Sequence, residues 1–556
     1  MSAQGTCLLP ADEMGRVLDR LAGLEQVISP ELVRQSLSAT GRVNTRSCKL
    51  SHEVMMWVVL AMGLLTDLPI RQVFKHARRL RGGESTPQRS SLCVARQRLG
   101  VAPLRHLFSQ IVQPLAEPDT PGAFYKGLRL MGVDGTVLNV PDSAINARVF
   151  GRPSSGERGE GAFPQLRKLS LVELGTHVEV ALVAKPLARG EQSMVPALLR
   201  HLTPDMLLLW DRGFFSYGLW KELNQRHIKV LARVKSNLVL KPIQHLPDGS
   251  YLAKIYDCWY SRKIDRGGIV VRVIRYKLDE PARVGHGEEH ILVTNLLDEK
   301  LAPASELIPL YHERWEEELT FDEQKTHQDP RRVTKPANLR SETPAGVIQE
   351  VYALSLAHFA IRSLMFAAAQ AVHLDPDRLS FTGCFQILKA RLPECDSRTP
   401  HSLHDWYHAL LWELQHECLP PRRNRVNPRA IKQKMSNWKK KRPEHRGLPP
   451  PRKTFIESVV MPISTVLPLT PNPYSRFSHS SSGGPRPPCQ DSSAWSMPSR
   501  SCCLAQTDSP CSSRTSYWPS RSQSSAPQKC GVAAIHITRY KGMCLSSTTQ
   551  KIVILA

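Results

Sequence analysis

The sequence predicts an α/β fold in which a mixed sheet is covered by helices, with a helical region before it and a helical, basic region after it. Segments with the period of strands come first and are followed by an alternation of strands and helices, which is typical of such a sheet. The predicted strands are Leu128–Val133, Thr136–Val140, Leu169–Glu173, His177–Ala184, Met206–Trp210 and Lys229–Val234. The predicted helices are Glu191–Leu202, before Met206–Trp210, and Tyr217–Arg226, after it. Helical periodicity dominates before residue 121 and after residue 305.

The first helical region contains one apolar helix pattern and two shorter ones. We predict helices at His52–Leu65, Ile70–Leu80 and Ser91–Leu99. The last of these carries Arg96 and Arg98 and follows a break rich in Gly and Pro. A helix, a break and a basic helix are compatible with DNA binding, and a solvated basic face explains the same residues equally well.

Between residues 238 and 304 the sequence returns to short strands separated by Gly- and Pro-marked turns. The predicted strands are Leu252–Trp259, Ile269–Tyr276 and His290–Asn295. Helices resume at Ser305–Lys325 and Ala345–Val372. We therefore predict a β-rich insertion within the sheet domain.

The charge of the chain points to a polyanionic partner. Its 556 residues carry a formal net charge of +24, and surplus Lys and Arg attract nucleic acid. From Pro421 to Lys453 there are thirteen Lys or Arg and one acid, a density typical of a phosphate-contacting arm or a disordered tail. The longest apolar run, Val54–Leu65, is too short to cross about 30 Å of hydrocarbon, so no membrane span is predicted.

Cysteine usage separates the end of the chain from the rest. Seven cysteines are scattered before residue 420 without a C-x-x-C pair, which together with the lack of a secretory pattern predicts a reduced, intracellular protein. From about Ser475 the chain is rich in Ser, Pro and Cys and has almost no hydrophobic periodicity. A disordered segment and a shifted reading frame are two explanations of this composition, and we favour the shifted reading frame.

Two candidate acids follow apolar strands of the predicted sheet. Asp134 precedes Gly135, and Asp211 follows Met206–Trp210. Carboxyl ends of strands commonly carry functional groups in open sheets. Each acid could equally be the first solvated residue after a buried strand, but the shared context of a turn with Gly favours a functional role.

A third candidate lies on the helix that follows the insertion. At about 100° per residue, Tyr311, Arg314 and Lys325 fall within roughly 40° of Glu318, whereas Glu316 and Glu317 point away. An Arg and a Glu four residues apart also stabilise ordinary surface helices. The spacing alone leaves both explanations open.

These residues resemble a known family. Asp134-Gly135-Thr136, Asp211-Arg212-Gly213-Phe214 and the Y-x2-R-x3-E-x6-K pattern of Tyr311, Arg314, Glu318 and Lys325 resemble the DDE transposases of bacterial insertion-sequence family 4, the group with the Y-R-E-K signature. The resemblance extends from about residue 30 to about residue 460. It is most specific in the Y-R-E-K pattern, where every spacing fits.

The resemblance implies an RNase H-like catalytic core that brings Asp134, Asp211 and Glu318 together as ligands of two Mg²⁺ ions, with Mn²⁺ able to substitute. Such ions lie about 3.5–4 Å apart and activate the attacking and leaving oxygens in phosphoryl transfer. The family's reaction is cleavage and strand transfer at insertion-sequence ends. Tyr311, Arg314 and Lys325 would hold the DNA strand, and Trp259 is expected to pack rather than to stack on a base.

The resemblance also implies the domain plan and the partners. Residues 1–121 would form a helical DNA-binding domain, 122–375 the catalytic core with its insertion, 376–460 a helical and basic segment, and 461–556 a disordered or frame-shifted tail. The partners would be double-stranded terminal inverted repeats and target DNA, bound by a homodimer in the bacterial cytoplasm, at the nucleoid. Two alternatives stay open, namely an inactive DNA-end-binding protein and an RNase H-like nuclease without a joining step.

Overall fold

The computed structural model describes residues 19–46, 48–78, 85–154, 159–277, 289–328, 339–395 and 400–420. The described residues belong to one compact unit, Met1–Arg452. The basic segment from Pro421 to Lys453 and the tail from residue 461 lie outside the described residues, so the predictions made for them remain predictions.

Helices and strands of the described residues follow the predicted order closely. The helices are α1 (Pro30–Ala39), α2 (His52–Leu64), α3 (Ile70–Ala77), α4 (Arg89–Leu99), α5 (Ala102–Ile111), α6 (Ala144–Phe150), α7 (Pro196–Leu199), α8 (Tyr217–Gln225), α9 (Trp259–Lys263), α10 (Ala304–His312), α11 (Trp315–Asp322), α12 (Pro344–Gln370), α13 (Phe381–Arg391) and α14 (Pro400–Gln415). The strands are β1 (Phe124–Tyr125), β2 (Leu128–Asn139), β3 (Gln165–Glu173), β4 (Val178–Pro186), β5 (Met206–Trp210), β6 (Lys229–Arg233), β7 (Gln244–His245), β8 (Tyr251–Ile255), β9 (Ile269–Lys277) and β10 (Glu289–Thr294).

The strands form one mixed sheet in the order β4-β3-β2-β5-β6-β10-β9-β8-β7, with β1 paired to β2. Strands β2, β5 and β6 are parallel, β3 pairs antiparallel with β2, and β4 pairs antiparallel with β3. An antiparallel ribbon followed by two parallel strands is the arrangement of an RNase H-like core. The predicted α/β fold class is confirmed.

Strand β2 differs from its prediction. Two strands separated by Asp134-Gly135 were expected, whereas β2 is one strand of twelve residues. The reason is its antiparallel partner, since β3 pairs with β2 through Asp134 and Gly135 and beyond, to Asn139. The parallel partner β5 stops earlier, with Trp210 opposite Val133.

The insertion extends the same sheet. Strand β10 returns antiparallel to β6, with Val293 opposite Ala232, and β9, β8 and β7 follow outward. The strands predicted in this region are therefore present as β8, β9 and β10. They enlarge the core sheet rather than forming a separate layer.

Two predicted helices are broken. Pro196 has no amide hydrogen to continue a helix, and Glu191–Leu202 is divided into a short 3₁₀ turn, Glu191–Ser193, and α7. Ser305–Lys325 is divided into α10, α11 and a π-helical turn at Glu323–His327. The break and the π turn change which side chains of this segment share a face.

The N-terminal helices pack directly on the long helix α12. Every residue of α2 except His52 is buried. A methyl group at Gly63 would overlap the Ala353 carbonyl of α12, so the two backbones are in close contact. The Gln328 side-chain amide donates hydrogen bonds to the carbonyls of Gly63 (2.9 Å) and Leu354 (3.0 Å). The N-terminal helices and the sheet domain therefore share one packed core.

Among the described residues, one helix is long and apolar enough to cross a membrane by length and composition alone. It is Pro344–Gln370, and 78% of its apolar window is buried inside the protein. This burial is typical of a central core helix.

Candidate active site

Asp134 and Asp211 lie next to each other on neighbouring strands, where the parallel pairing of β2 with β5 ends. The last paired residues of β2 and β5 are Val133 and Trp210, so each acid is the next residue along its strand. Each carboxylate accepts a hydrogen bond of 2.7 Å from the following backbone amide. Side chains alternate across a strand, and both acids share the face of Leu207 and Leu209, which packs against α10.

The Y-R-E-K residues lie over this edge. The Tyr311 hydroxyl is buried and donates a hydrogen bond of 3.3 Å to the carbonyl of Trp210, the residue before Asp211. Buried Arg314 places Nη2 3.5 Å from the Glu318 carboxylate, and Lys325 donates from Nζ to the Thr136 hydroxyl. Tyr311 thus contacts the end of β5, and Lys325 contacts β2 just beyond Asp134. Arg314 contacts the predicted acid Glu318.

The field at Asp134 is that of a crowded, buried acid. Burial raises the pKa of the Asp134 carboxyl to about 6. The Glu318 and Glu191 carboxylates act in the same direction. The Gly135 amide and the Arg314 guanidinium oppose the shift without cancelling it. Asp134 and Glu318, two of the predicted acids, are therefore close enough to repel each other.

Arg314 is the cation that faces these acids. Burial lowers the pKa of its guanidinium, but Tyr311, Glu317 and the two aspartates outweigh burial and raise it. Arg314 therefore stays charged at the centre of the group. One guanidinium does not balance the surrounding carboxylates.

Glu317 is a site residue that the sequence did not reveal. Its side chain is fully buried, and neither carboxylate oxygen has a hydrogen-bond partner in the described part of the chain. Burial raises its pKa well above the ordinary value, and Asp134, Glu318 and Asp211 add to the effect. The helical wheel set Glu317 aside because it lies about 100° around the helix from Glu318, and a wheel does not show that Gly132 of β2 leaves space on that side.

Gly132 is the position that makes room for Glu317. A methyl group on Gly132 would lie 2.9 Å from Glu317 Oε2 and 2.9 Å from Leu174. Gly132 precedes Asp134 by two residues on β2, so both point to the same face. The carboxyl of Glu317 therefore lies against the sheet directly beneath Asp134.

A second buried group of charges lies on the other side of α11. His177 contacts Glu316 (2.8 Å), Glu323 (2.9 Å) and Asp377 (3.1 Å). Its residue is in the left-handed region, with φ 58°. Burial and Arg362 lower the pKa of His177, but the three carboxylates outweigh them and raise it to about 9.

Arg362 completes the charge balance of this second group. Its guanidinium bonds Glu323, with Nε at 2.9 Å, and also reaches His177. Within the described residues, His177, Glu316 and Asp377 are the group whose potential metal-ligand atoms all lie within 4.8 Å of one another. His177 and Arg362 supply two positive charges to this group, and burial raises the pKa of the Asp377 carboxyl to about 7, so we do not assign a cation there.

The acids around Asp134 fit a divalent cation better. Carboxylate oxygens are the ligands that Mg²⁺ and Mn²⁺ prefer. Glu317 brings a buried carboxyl that no described residue hydrogen-bonds, and Arg314 brings one positive charge to the group. The residues present are therefore suited to a divalent metal.

Two family models match the chain. The model described as "Insertion element 4 transposase N-terminal" matches residues 18–109, and "Transposase DDE domain" matches residues 126–357. Together they match more than half of the chain. The chain belongs to the DDE transposases of insertion-sequence family 4. It is an enzyme that acts on DNA, and DDE transposase domains use divalent metal ions.

Individual relatives agree with the family. The transposase InsG for insertion sequence element IS4 of Escherichia coli is 28% identical over 428 residues, covering 75% of this chain and 93% of that protein. The putative transposase InsZ of Escherichia coli is 26% identical over 196 residues, covering 35% and 65%. The piggyBac transposase synaptic complex with hairpin DNA matches with a TM-score of 0.34 and 13% identity, over 71% of this chain and 86% of that chain.

Trp259 was expected to pack in a core or an interface. The residue is 70% exposed, so it does not pack in the core of the chain, and packing in an interface stays a prediction. The cause is its position at the start of α9, a helix of five residues with no buried member. The Lys263 ammonium lies 5.6 Å from its ring centroid. The transposase thus presents an aromatic ring beside a positive charge on the insertion.

Proposed function

We propose that this transposase catalyses cut-and-paste transposition, in which Asp134, Asp211 and Glu318 support metal-dependent cleavage at the insertion-sequence ends and joining to target DNA. The observation that carries the proposal is the position of the two aspartates after the last paired residues of β2 and β5, on one face. The Glu318 carboxylate contributes to the raised pKa of Asp134, so the charges of these two acids interact.

We propose that two Mg²⁺ ions, which Mn²⁺ can replace, bind to these three carboxylates. Two ions about 3.5–4 Å apart are the arrangement that supports in-line displacement at phosphorus, and carboxylate oxygens are the ligands that such ions prefer. When bound, the ions would stabilise negative charge on the attacking and leaving oxygens.

Arg314, Lys325 and Tyr311 would position the DNA strand end. Arg314 offers a guanidinium suited to phosphate, and Lys325 offers a compact positive charge next to Thr136. Tyr311 would bind a backbone oxygen by releasing the Trp210 carbonyl that it now contacts. While that bond is kept, Tyr311 fixes the strand end that carries Asp211.

The remaining parts of the chain would bind the DNA outside the reaction centre. Residues 1–121 would bind the double-stranded terminal inverted repeat, and 122–375 would form the catalytic core. Residues 376–460 would add phosphate contacts through the basic segment, which makes binding steeply dependent on salt. We propose a homodimer on paired ends, acting at the nucleoid, with Trp259 available to stack on an unpaired base.

The test is cleavage of a duplex that carries the element's own terminal repeat, in MgCl₂. Glu318→Gln should lower cleavage by about 10³-fold, because bound metal supplies several kcal/mol of transition-state stabilisation. Binding of the duplex, measured by gel shift, should be retained. Asp322→Asn, an exposed acid on the same helix, is the matched control and should cleave normally.

Each outcome selects one function. Wild-type binding without cleavage would indicate an inactive end-binding protein. Cleavage without joined products on a target plasmid would indicate a nuclease that lacks the joining step. Cleavage retained by Glu318→Gln would refute the assignment of Glu318.

A further inference from the structure

Glu317 is a buried acid that has no hydrogen-bond partner among the residues that the structure describes. Its side chain has no exposed surface, and both of its oxygens lack a hydrogen bond from any described residue. An ionised carboxylate in such a place is strongly unfavourable unless a cation or a set of donors faces it. By contrast, the neighbouring buried acids Glu316 and Glu323 both contact His177.

The position of Glu317 relates it to the reaction centre. Its carboxyl lies against Gly132, which is two residues before Asp134 and on the same face of β2. The charged groups that act on it are Asp134, Arg314, Glu318 and Asp211, and three of these are the proposed metal ligands. Glu317 therefore approaches the metal centre from the buried side.

Gly132 is an independent sign that this space is used. A side chain at residue 132 would collide with the carboxyl of Glu317 and with Leu174. The face of β2 around residue 132 is apolar and includes Leu130, so a hydrophobic residue would match its polarity. Glycine at this position leaves an opening in that face, and an acidic group fills it.

We propose that Glu317 supplies a fourth carboxylate to the divalent-cation centre of Asp134, Asp211 and Glu318. The inference rests on the proposed function, because it assumes that those three acids bind metal. A divalent cation is the partner that accounts for both Glu317 oxygens at once, since carboxylates bind such ions through one oxygen or two. Gly132 is the position that allows this approach.

The test is direct binding of Mn²⁺ to the full chain without DNA, measured by electron paramagnetic resonance of the free ion. Glu317→Gln preserves shape and removes the charge, and it should weaken Mn²⁺ binding about 10- to 100-fold, the range found when groups supporting a metal are removed. Asp134→Asn serves as the positive control. Asp322→Asn, on the same helix, should bind Mn²⁺ like the wild type.

A second measurement covers variants with altered folding. Without metal, Glu317→Leu should raise the thermal unfolding midpoint, since it removes a buried polar group that has no hydrogen-bond partner among the described residues. Saturating Mn²⁺ should abolish that advantage over the wild type. Gly132→Ala, which keeps the charge but displaces the carboxyl, should weaken Mn²⁺ binding as well.

The results separate this inference from the proposed function. If Asp134→Asn weakens Mn²⁺ binding and Glu317→Gln does not, Glu317 is not a ligand and the three-acid centre stands. If Asp134→Asn and Glu318→Gln both bind Mn²⁺ like the wild type, the proposed metal centre itself is wrong. An unchanged stability advantage of Glu317→Leu in saturating Mn²⁺ would also overturn the inference.

Discussion

Two groups of buried charges lie on opposite sides of helix α11, and they are built differently. The group around His177 pairs each acid with a cation or a donor, through Arg362 and His358 as well as His177 itself. The group around Asp134 places four carboxyls near Arg314. We call the first group balanced, because each of its acids contacts a cation or a donor, and the second unbalanced, because both oxygens of Glu317 lack a hydrogen bond from any described residue.

The difference assigns a separate role to each group. A buried network that is fully paired fixes the relative position of the elements that contribute to it. His177, Glu316, Glu323 and Arg362 join the β3–β4 turn, α11, the π turn and α12. The balanced group therefore orients the helix that carries Glu318, while the unbalanced group is suited to a cation from outside.

The largest expected effect comes from breaking the balanced group. Arg362→Met leaves Glu323 buried without its main cation and should lower the free energy of unfolding by about 3–5 kcal/mol. Urea denaturation followed by circular dichroism measures the change. Arg226→Met removes an exposed pair with Glu222 and should cost under about 0.5 kcal/mol. Similar losses in both variants would contradict the comparison.

Divalent cations should stabilise the unbalanced group selectively. At one hundred times its dissociation constant, Mg²⁺ should add about 2.7 kcal/mol to the wild type. Asp134→Asn should lose most of this gain, whereas His177→Asn should keep it. Thermal unfolding in increasing MgCl₂ at constant ionic strength measures both. An equal response of Asp134→Asn and wild type would place the ion elsewhere.

The balanced group should make stability fall at alkaline pH. The pKa of His177 is raised to about 9, so its contribution is complete below about pH 6.5 and is lost as the pH rises through 9. The loss should be on the order of 2–3 kcal/mol. Burial raises the pKa of Asp377 to about 7, which adds to the fall at its lower end.

The measurement is the urea midpoint between pH 6.5 and pH 9.5. His177→Asn is the control, because Asn tolerates the positive φ of this residue and has no charge to lose. Its stability should change much less over the same range. A wild-type midpoint that is flat or rises with pH would show that His177 is not held in its charged form.

The smallest expected effect tests the space beneath Asp134. Gly132→Ala should cost about 1–3 kcal/mol through overpacking against Glu317. Adding Glu317→Ala should recover part of the loss. Gly218→Ala is the control, since nothing lies within 4 Å and helix α8 should gain up to about 1 kcal/mol. A loss that Glu317→Ala does not reduce would dissociate the two residues.

Local sequence predicted most of the strands well. Met206–Trp210 is a strand of five buried residues, as its continuous apolar run indicates. The strand ends also predicted where Asp134 and Asp211 lie, next to the last paired residues of β2 and β5. The catalytic roles of these acids and of Glu318 stay predictions.

The other site residues depend on contacts between distant parts of the chain. Glu317 is understood only when β2 and α11 are seen together, because its place is made by Gly132. His177 meets Glu323, 146 residues later, and its ring nitrogen is contacted from 185 residues away by Arg362. No local period encodes such meetings, so a helical wheel could not identify them.

The close packing of α2 on α12 bears on the distance along the DNA between the terminal repeat and the cleavage site. The backbones of Gly63 and Ala353 touch, and the Gln328 amide binds carbonyls on both helices. If the N-terminal helices hold the terminal repeat, the count of base pairs from that hold to the severed phosphate is set by this joint and not by a tether. Inserting a single base pair between the two would then move the wrong phosphate into the reaction centre.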